Sequence, residues 1–255
     1  LSISILACYK PLYKINNLIK SFLSYKSSHQ DFNQLLQLQI TEPLTENKLN
    51  SSILKLGNIH DEISILVKDQ YECNPYPRWR YSTFNKDYNF HPLKIINTEI
   101  RPNILNDNLL DKEYNILIAG CGTGLQVLRA KRYKNSNITG IDLSTSSLAY
   151  AKRKLNELNI HNVELICMDL LQSNLLNKTF DLIECSGVLH HMLNPLYGLE
   201  CILESLNNKG FIKIGLYSEI ARQDISDARL YISNHYSEYS EDNLKLFRDM
   251  IIENK

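Results

Sequence analysis

The sequence predicts an α/β protein: a doubly wound parallel sheet with helices on both faces. Three observations in the second half of the chain predict it. Apolar runs of strand length alternate with helix-like segments from residue 114 onward. The first run, Ile116-Leu117-Ile118-Ala119, enters Gly120-Cys121-Gly122-Thr123-Gly124 and then a helix-like segment, which is a strand, a tight turn and a helix start. The second run ends on an acid, in Gly140-Ile141-Asp142-Leu143-Ser144.

Taken in order, residues 1–72 read as helical. Ile3, Ile5, Leu6 and Leu12 mark an element already under way at Leu1, and Ile59, Ile63, Leu66 and Val67 follow the i, i+4, i+7, i+8 stripe of one helix. No repeat of roughly 34 residues, as a helical array shows, is present. Tyr71-Glu72-Cys73-Asn74-Pro75-Tyr76-Pro77-Arg78-Trp79 breaks the helix with two prolines, and 73–113 reads as a linker or lid. Strands are expected at 114–119, 138–142, 163–168, 180–185 and 210–216, followed by helical or turn segments at 122–134, 146–159, 170–178, 195–206 and 218–235. Asn194-Pro195 is a helix opening, an N-cap before a proline at the first helical position. Ser240 caps a final helix with the stripe Leu244, Phe247 and Ile251.

Composition excludes several function classes. The 28 basic and 28 acidic residues of the 255 cancel, so no global field points to nucleic acid. Apolar content of 44% with 22% charged is ordinary globular composition. The apolar runs are far short of a membrane span, and no signal-peptide pattern appears. Six cysteines include no C-x-x-C pair, so buried free thiols in a reducing, cytoplasmic compartment are expected, with no metal site.

The chemistry concentrates at strand ends. The glycine turn lets a backbone approach a ligand without a Cβ in the way. Asp142 ends strand two, placed to accept from ribose hydroxyls, and Asp169 ends strand three in Ile166-Cys167-Met168-Asp169-Leu170. Together these read as a nucleoside-cofactor site. A nicotinamide dehydrogenase usually carries G-x-G-x-x-G, whereas Leu125 stands at the last place here. The fourth strand leads into Cys185-Ser186-Gly187-Val188-Leu189-His190-His191-Met192, and the two histidines read as structural or substrate-positioning residues. Asp181 reads as a strand-start residue. The Tyr71–Trp79 segment reads either as a hydrophobic plug between domains or as a lid, with aromatic faces suited to a sulfonium or ammonium cation.

Gly120-Cys121-Gly122-Thr123-Gly124, Asp142, Asp169 and Cys185–Met192 together resemble class I S-adenosylmethionine-dependent methyltransferases. Tyr71–Trp79, Asp142-Leu143-Ser144 with Ser147-Leu148-Ala149-Tyr150-Ala151, Gly187–Met192 and Ile214–Glu219 with Ala221-Arg222 resemble one subgroup. It contains methyltransferases fused to tetratricopeptide repeats and rickettsial lysine methyltransferases of outer-membrane proteins. The resemblance covers about residues 35–235. It implies a Rossmann-like core over 114–216 that binds S-adenosylmethionine. Gly120, Cys121, Gly122 and Gly124 would wrap its methionine part, and Asp142 with Leu143 would meet the ribose. Asp169 and Leu170 would flank adenine, and Cys185 and Ser186 would lie beside the methyl donor. Tyr71, Tyr76, Arg78 and Trp79 would line the lid or substrate channel, with His190, Tyr217 and Tyr76 the candidates for a catalytic part.

The activity implied is methylation of lysine side chains of a protein, an outer-membrane protein among the candidates. The alternatives are a small-molecule methyltransferase and a fragment that keeps cofactor contacts without turnover. The family's sheet ends in a hairpin of strands six and seven, whereas residues 217–255 look helical. The expectation is a sheet without those strands, a C-terminal helical segment that is cut short, and a second chain supplying the missing part.

Overall fold

The computed structural model describes residues 2–82, 88–105, 112–236 and 240–253. Parts of the expected linker, 83–87 and 106–111, lie outside the described residues. The chain divides into two compact units, Leu1–Ile214 and Gly215–Lys255.

The first unit begins with helices α1 (Ser2–Tyr9), α2 (Asn16–Phe22) and α3 (Gln30–Leu36), a π-helical turn over Gln37–Thr41, and α4 (Glu42–Asn50). Strand β1 (Leu54–Lys55), α5 (Glu62–Cys73) and α6 (Pro92–Glu99) follow. Then come β2 (Tyr114–Ala119), α7 (Leu125–Ala130), β3 (Ser136–Asp142), α8 (Thr145–Glu157) and β4 (Val163–Cys167). The unit closes with β5 (Phe180–Ser186), α9 (Pro195–Leu203) and β6 (Leu206–Gly215), with 3-10 turns at Leu170–Leu176 and Leu189–His191. The second unit holds α10 (Gln223–His235) and α11 (Glu241–Ile252). There Tyr231 stacks on His235 with centroids 3.9 Å apart, and the Ser240 hydroxyl caps α11 by accepting from the Asn243 amide.

The sheet order is β1-β4-β3-β2-β5-β6. The pairs β1–β4, β4–β3, β3–β2 and β2–β5 are parallel. Ile116 and Ile118 enter the apolar cluster on one face of the sheet, with Val127, Leu128 and Leu148. Leu117 and Ala119 enter the cluster on the other, with Ile141, Phe180, Ile183 and Ile202. A strand buried on both faces must be apolar throughout, which is why 116–119 reads as a run rather than an alternation. Each buried isoleucine or leucine of the run contributes about 1.5–3 kcal/mol. Strand order reverses between β2 and β5, so a crevice opens at their carboxyl ends, where α/β sheets bind ligands.

Two sequence expectations need correction. Residues 1–72 are not helical throughout, because Leu54–Lys55 forms an edge strand on β4 and the Leu56 amide donates to the Cys167 carbonyl at 3.0 Å. That pairing joins residues more than 100 apart, so local periodicity does not register it. The stripe at 59–67 also holds only in part, with Ile59, Ile63 and Val67 half-buried. Helix α5 starts after Asp61, whose carboxylate caps the Ser64 amide; Leu66 is 65% exposed, and Ser64 is the residue buried. Among the described residues no strand follows β6.

Candidate functional site

The carboxyl end of β2 runs into a turn in which Gly120, Gly122 and Gly124 have φ of 70°, 52° and 84°. The amides of Gly120 and Cys121 both donate to the Ile141 carbonyl at 2.9 Å, tying the turn to β3. A Cβ on Gly120 would stand 2.2 Å from Val188 Cγ2, so only glycine lets the loop after β5 pack against the turn. Gly122 faces the opposite situation: a Cβ there would meet only the Tyr76 carbonyl oxygen, at 3.8 Å. A Cβ on Gly187, beyond β5, would meet nothing within 4 Å. Space therefore remains in front of the turn, bounded by backbone.

Asp142 ends β3 beside that space. Its Oδ2 accepts from the Gly122 amide at 2.8 Å and its Oδ1 from the Ser144 amide at 3.0 Å. A carboxylate has about four acceptor sites. Two backbone amides fix its orientation and leave capacity for hydroxyl donors. Burial pushes the Asp142 carboxyl up, the Ser144 and Gly122 amides pull it down, and the nearby Glu72 charge adds to the rise, which prevails.

Glu72, at the end of α5, was not singled out from sequence. Its carboxylate accepts from Ser144 Oγ at 2.9 Å, Thr145 Oγ1 at 2.6 Å and the Ser146 amide at 3.1 Å. It thus caps the N-terminus of α8, where a negative charge is favoured. Burial pushes the Glu72 carboxyl up, but these hydrogen bonds outweigh it and hold it below the ordinary value. The only sequence signal was that Glu72 is the one acid within the aromatic and proline-rich segment.

Asp169, past β4, is buried and accepts from the Leu171 amide at 3.0 Å, opening the turn in which Leu170 is also buried. Leu143 follows Asp142, and its carbonyl accepts from the Cys167 thiol at 3.4 Å. Cys185 is fully buried at the end of β5, and burial pushes its thiol up to about 11, so it is held as the thiol. Burial, with the Asp142 charge, raises Cys121 as well. The Ser186 carbonyl accepts from Gln126 Nε2 at 3.4 Å, which links α7 to the β5 end.

The 76–79 segment lies against the glycine turn. Trp79 Nε1 donates to the Thr123 carbonyl at 3.0 Å, and Thr123 Oγ1 donates to the Pro77 carbonyl at 2.6 Å. Thr123 is thereby held from both sides. Tyr76 is 72% exposed, whereas Arg78 turns away from the glycine turn and pairs with Glu46. Tyr71 lies in the last turn of α5 and is half-buried. His190 and His191 sit in the 3-10 turn after β5, ring centroids 4.3 Å apart. Tyr217 belongs to the second unit, where the Arg222 guanidinium lies 3.8 Å from its ring centroid. Asp181 accepts from Lys112 Nζ, the Asn115 amide and Asn207 Nδ2, so it has a structural place at the start of β5.

The glycine turn and the ends of β3, β4 and β5 thus meet at one edge of the sheet. A turn open at Gly122 beside an oriented acid fits a nucleoside-bearing cofactor. Among the described residues no cluster of three metal-ligating side chains occurs. No helix of the described residues is long and apolar enough to cross a membrane.

Residues 116–210 match the family described as a methyltransferase domain. An uncharacterized protein of Synechococcus is 37% identical over 43% of this chain and 27% of its own length. A malonyl-[acyl-carrier protein] O-methyltransferase of Acetivibrio thermocellus is 30% identical over 44% of this chain and 38% of its own length. Among solved structures, PKMT2 from Rickettsia typhi is similar over 70% of this chain and 34% of its own, with 25% identity and a TM-score of 0.50. The chain therefore spans well under half the length of these relatives. The glycine turn and the strand-end acids lie within or beside residues 116–210, the part of the chain that is similar to methyltransferase domains.

Proposed function

We propose that the chain transfers a methyl group from S-adenosylmethionine to the amine of a lysine side chain on a protein substrate, outer-membrane proteins being the first candidates. The observation that carries the methyltransferase reading is the Gly120–Gly124 turn clamped to Asp142 beside open space. What supports a lysine acceptor is the extent of the likeness to the rickettsial PKMT2 structure. It covers 70% of this chain, more than residues 116–210 span.

The chemistry supplied by bound S-adenosylmethionine is a methyl group already activated on a sulfonium, so the protein's task is alignment and exclusion of water. Asp142 would hold the ribose hydroxyls, and Asp169 with Leu170 would border the adenine. Gly120, Cys121, Gly122 and Gly124 would border the methionine part, with Cys185 and Ser186 near the reacting carbon. Cys185, held as the thiol, is not a proton acceptor at neutral pH. A lysine ammonium would shed its proton through desolvation between aromatic walls such as Tyr76 and Trp79, which lowers its pKa. A second polypeptide pairing along the β6 margin of the sheet, where Ile214 is exposed, is the partner proposed. Six free cysteines support residence in a reducing, cytoplasmic compartment.

The second reading, a small-molecule methyltransferase, is favoured by the likeness to the malonyl-carrier-protein O-methyltransferase. Incubation with methyl-labelled cofactor and either outer-membrane proteins or small acceptors separates the two. Label in N-methyl-lysine after hydrolysis supports the proposal, and label confined to small acceptors overturns it.

A further inference from the structure

The 76–79 segment is fastened on the side away from the glycine turn, and the fastening reaches into the N-terminal helices. Arg78 Nη2 lies 3.0 Å from both carboxylate oxygens of Glu46 on α4. Glu46 also receives Arg153 Nε from α8 at 2.9 Å, and Arg153 reaches Glu42 at 3.0 Å and Glu157 as well. These are sheltered charges: the Arg153 side chain is 5% exposed and that of Glu46 11%. Both arginines also meet the Tyr150 ring, whose centroid is 4.6 Å from the Arg78 guanidinium and 4.8 Å from that of Arg153. The Tyr150 hydroxyl donates to the Trp79 carbonyl. Trp79 and Pro77 in turn hold Thr123, inside the glycine turn.

We propose that Glu46 and Arg78 are a positioning pair through which the N-terminal helices hold the Tyr76–Trp79 segment over the glycine turn and so set the affinity of the cofactor site. The proposal rests on the reading of that turn as the S-adenosylmethionine site. Its physical content is local. One Arg78 nitrogen shared between both oxygens of a carboxylate that the buried Arg153 also holds is more constrained than an isolated surface ion pair of flexible side chains. Stacking on Tyr150 adds a second constraint on the same residue. Without the pair, residues 76–79 keep their bonds to Thr123 but lose the anchor that orders them before ligand arrives, and that ordering must then be supplied by binding.

Trp79 is the single tryptophan, so its fluorescence reports this segment alone. The test compares wild type with Arg78→Ala, Arg78→Lys and Glu46→Gln, in two measurements on the full chain. Acrylamide quenching of Trp79 without ligand reads the anchor, and titration with S-adenosylhomocysteine reads the site. The pair predicts greater quenching of Trp79 in Arg78→Ala and Glu46→Gln and about tenfold weaker binding, one charged hydrogen-bonded pair's worth. Arg78→Lys should be intermediate, because an ammonium can meet Glu46 but cannot stack on Tyr150 as the planar guanidinium does. Arg78 is 42% exposed on its side chain, so its substitution leaves the far-ultraviolet dichroism unchanged. Quenching equal to wild type in both truncating variants would overturn the anchor. Greater quenching with unchanged affinity would overturn its link to the site. A wild type that binds no S-adenosylhomocysteine would instead defeat the reading of the site, while the ligand-free quenching still decides the anchor.

Discussion

Replacing Asp142 by asparagine is the perturbation whose effect follows most directly from geometry. Both carboxylate oxygens accept from backbone amides, Gly122 at 2.8 Å and Ser144 at 3.0 Å. Asparagine has one oxygen and one NH₂, so whichever way it turns, a donor faces a donor at one of these amides. Leaving one buried amide unmet costs about 1–3 kcal/mol. The same NH₂ cannot accept from a ribose hydroxyl. Burial raises the Asp142 carboxyl, so removing the charge returns part of the cost to fold stability. The ligand contacts receive no such return. The expected outcome is a loss of affinity for S-adenosylhomocysteine of about 5- to 150-fold, the equivalent of about 1–3 kcal/mol, with a melting temperature that moves little. Titration calorimetry and thermal denaturation on the same samples measure both. An unchanged dissociation constant in a folded Asp142→Asn protein would remove Asp142 from the site.

Glu72→Gln should cost about 1 kcal/mol of stability at pH 7, the scale of a lost helix cap. Because the folded Glu72 carboxyl lies below its ordinary value of 4.5, its stabilising contribution is full above that pH and is lost as pH falls through the folded value. The gap in melting temperature between wild type and Glu72→Gln should therefore narrow below 4.5, and a constant gap would contradict the cap. Saturating S-adenosylhomocysteine should alter Trp79 emission, since Trp79 bonds to the glycine turn; an unchanged spectrum would place the segment outside the ligand's reach. Under native conditions Ellman's reagent should react rapidly with Cys8 and Cys73, which are exposed, and slowly with the buried Cys121, Cys167, Cys185 and Cys201. Rapid reaction of Cys185 would contradict its burial at the β5 end.

The core was legible because its signals are local. A four-residue apolar run into spaced glycines has few meanings, and β2, β3, β4 and β5 all begin or end within two residues of the expected bounds. The caps at Asn194 and Ser240 were legible for the same reason, a side chain bonding an amide three residues on. β6 starts earlier than expected, because its backbone stays extended on both sides of the Lys209 turn, where φ is 71°. What the sequence hides is pairing at a distance. Leu54 meets Ile166, Glu72 meets Ser144, and Glu46 meets both Arg78 and Arg153, and nothing in their local patterns announces a partner. The stripe at Ile59, Ile63, Leu66 and Val67 held only in part: Ile59, Ile63 and Val67 are half-buried, whereas Leu66 is exposed and Ser64 is the buried residue of α5.

Equilibrium dialysis of the chain against labelled S-adenosylmethionine asks whether the glycine turn and Asp142 form a cofactor site. The chain should retain one equivalent, displaced by S-adenosylhomocysteine and untouched by a nicotinamide dinucleotide. No retained label, or displacement by the dinucleotide, would contradict it.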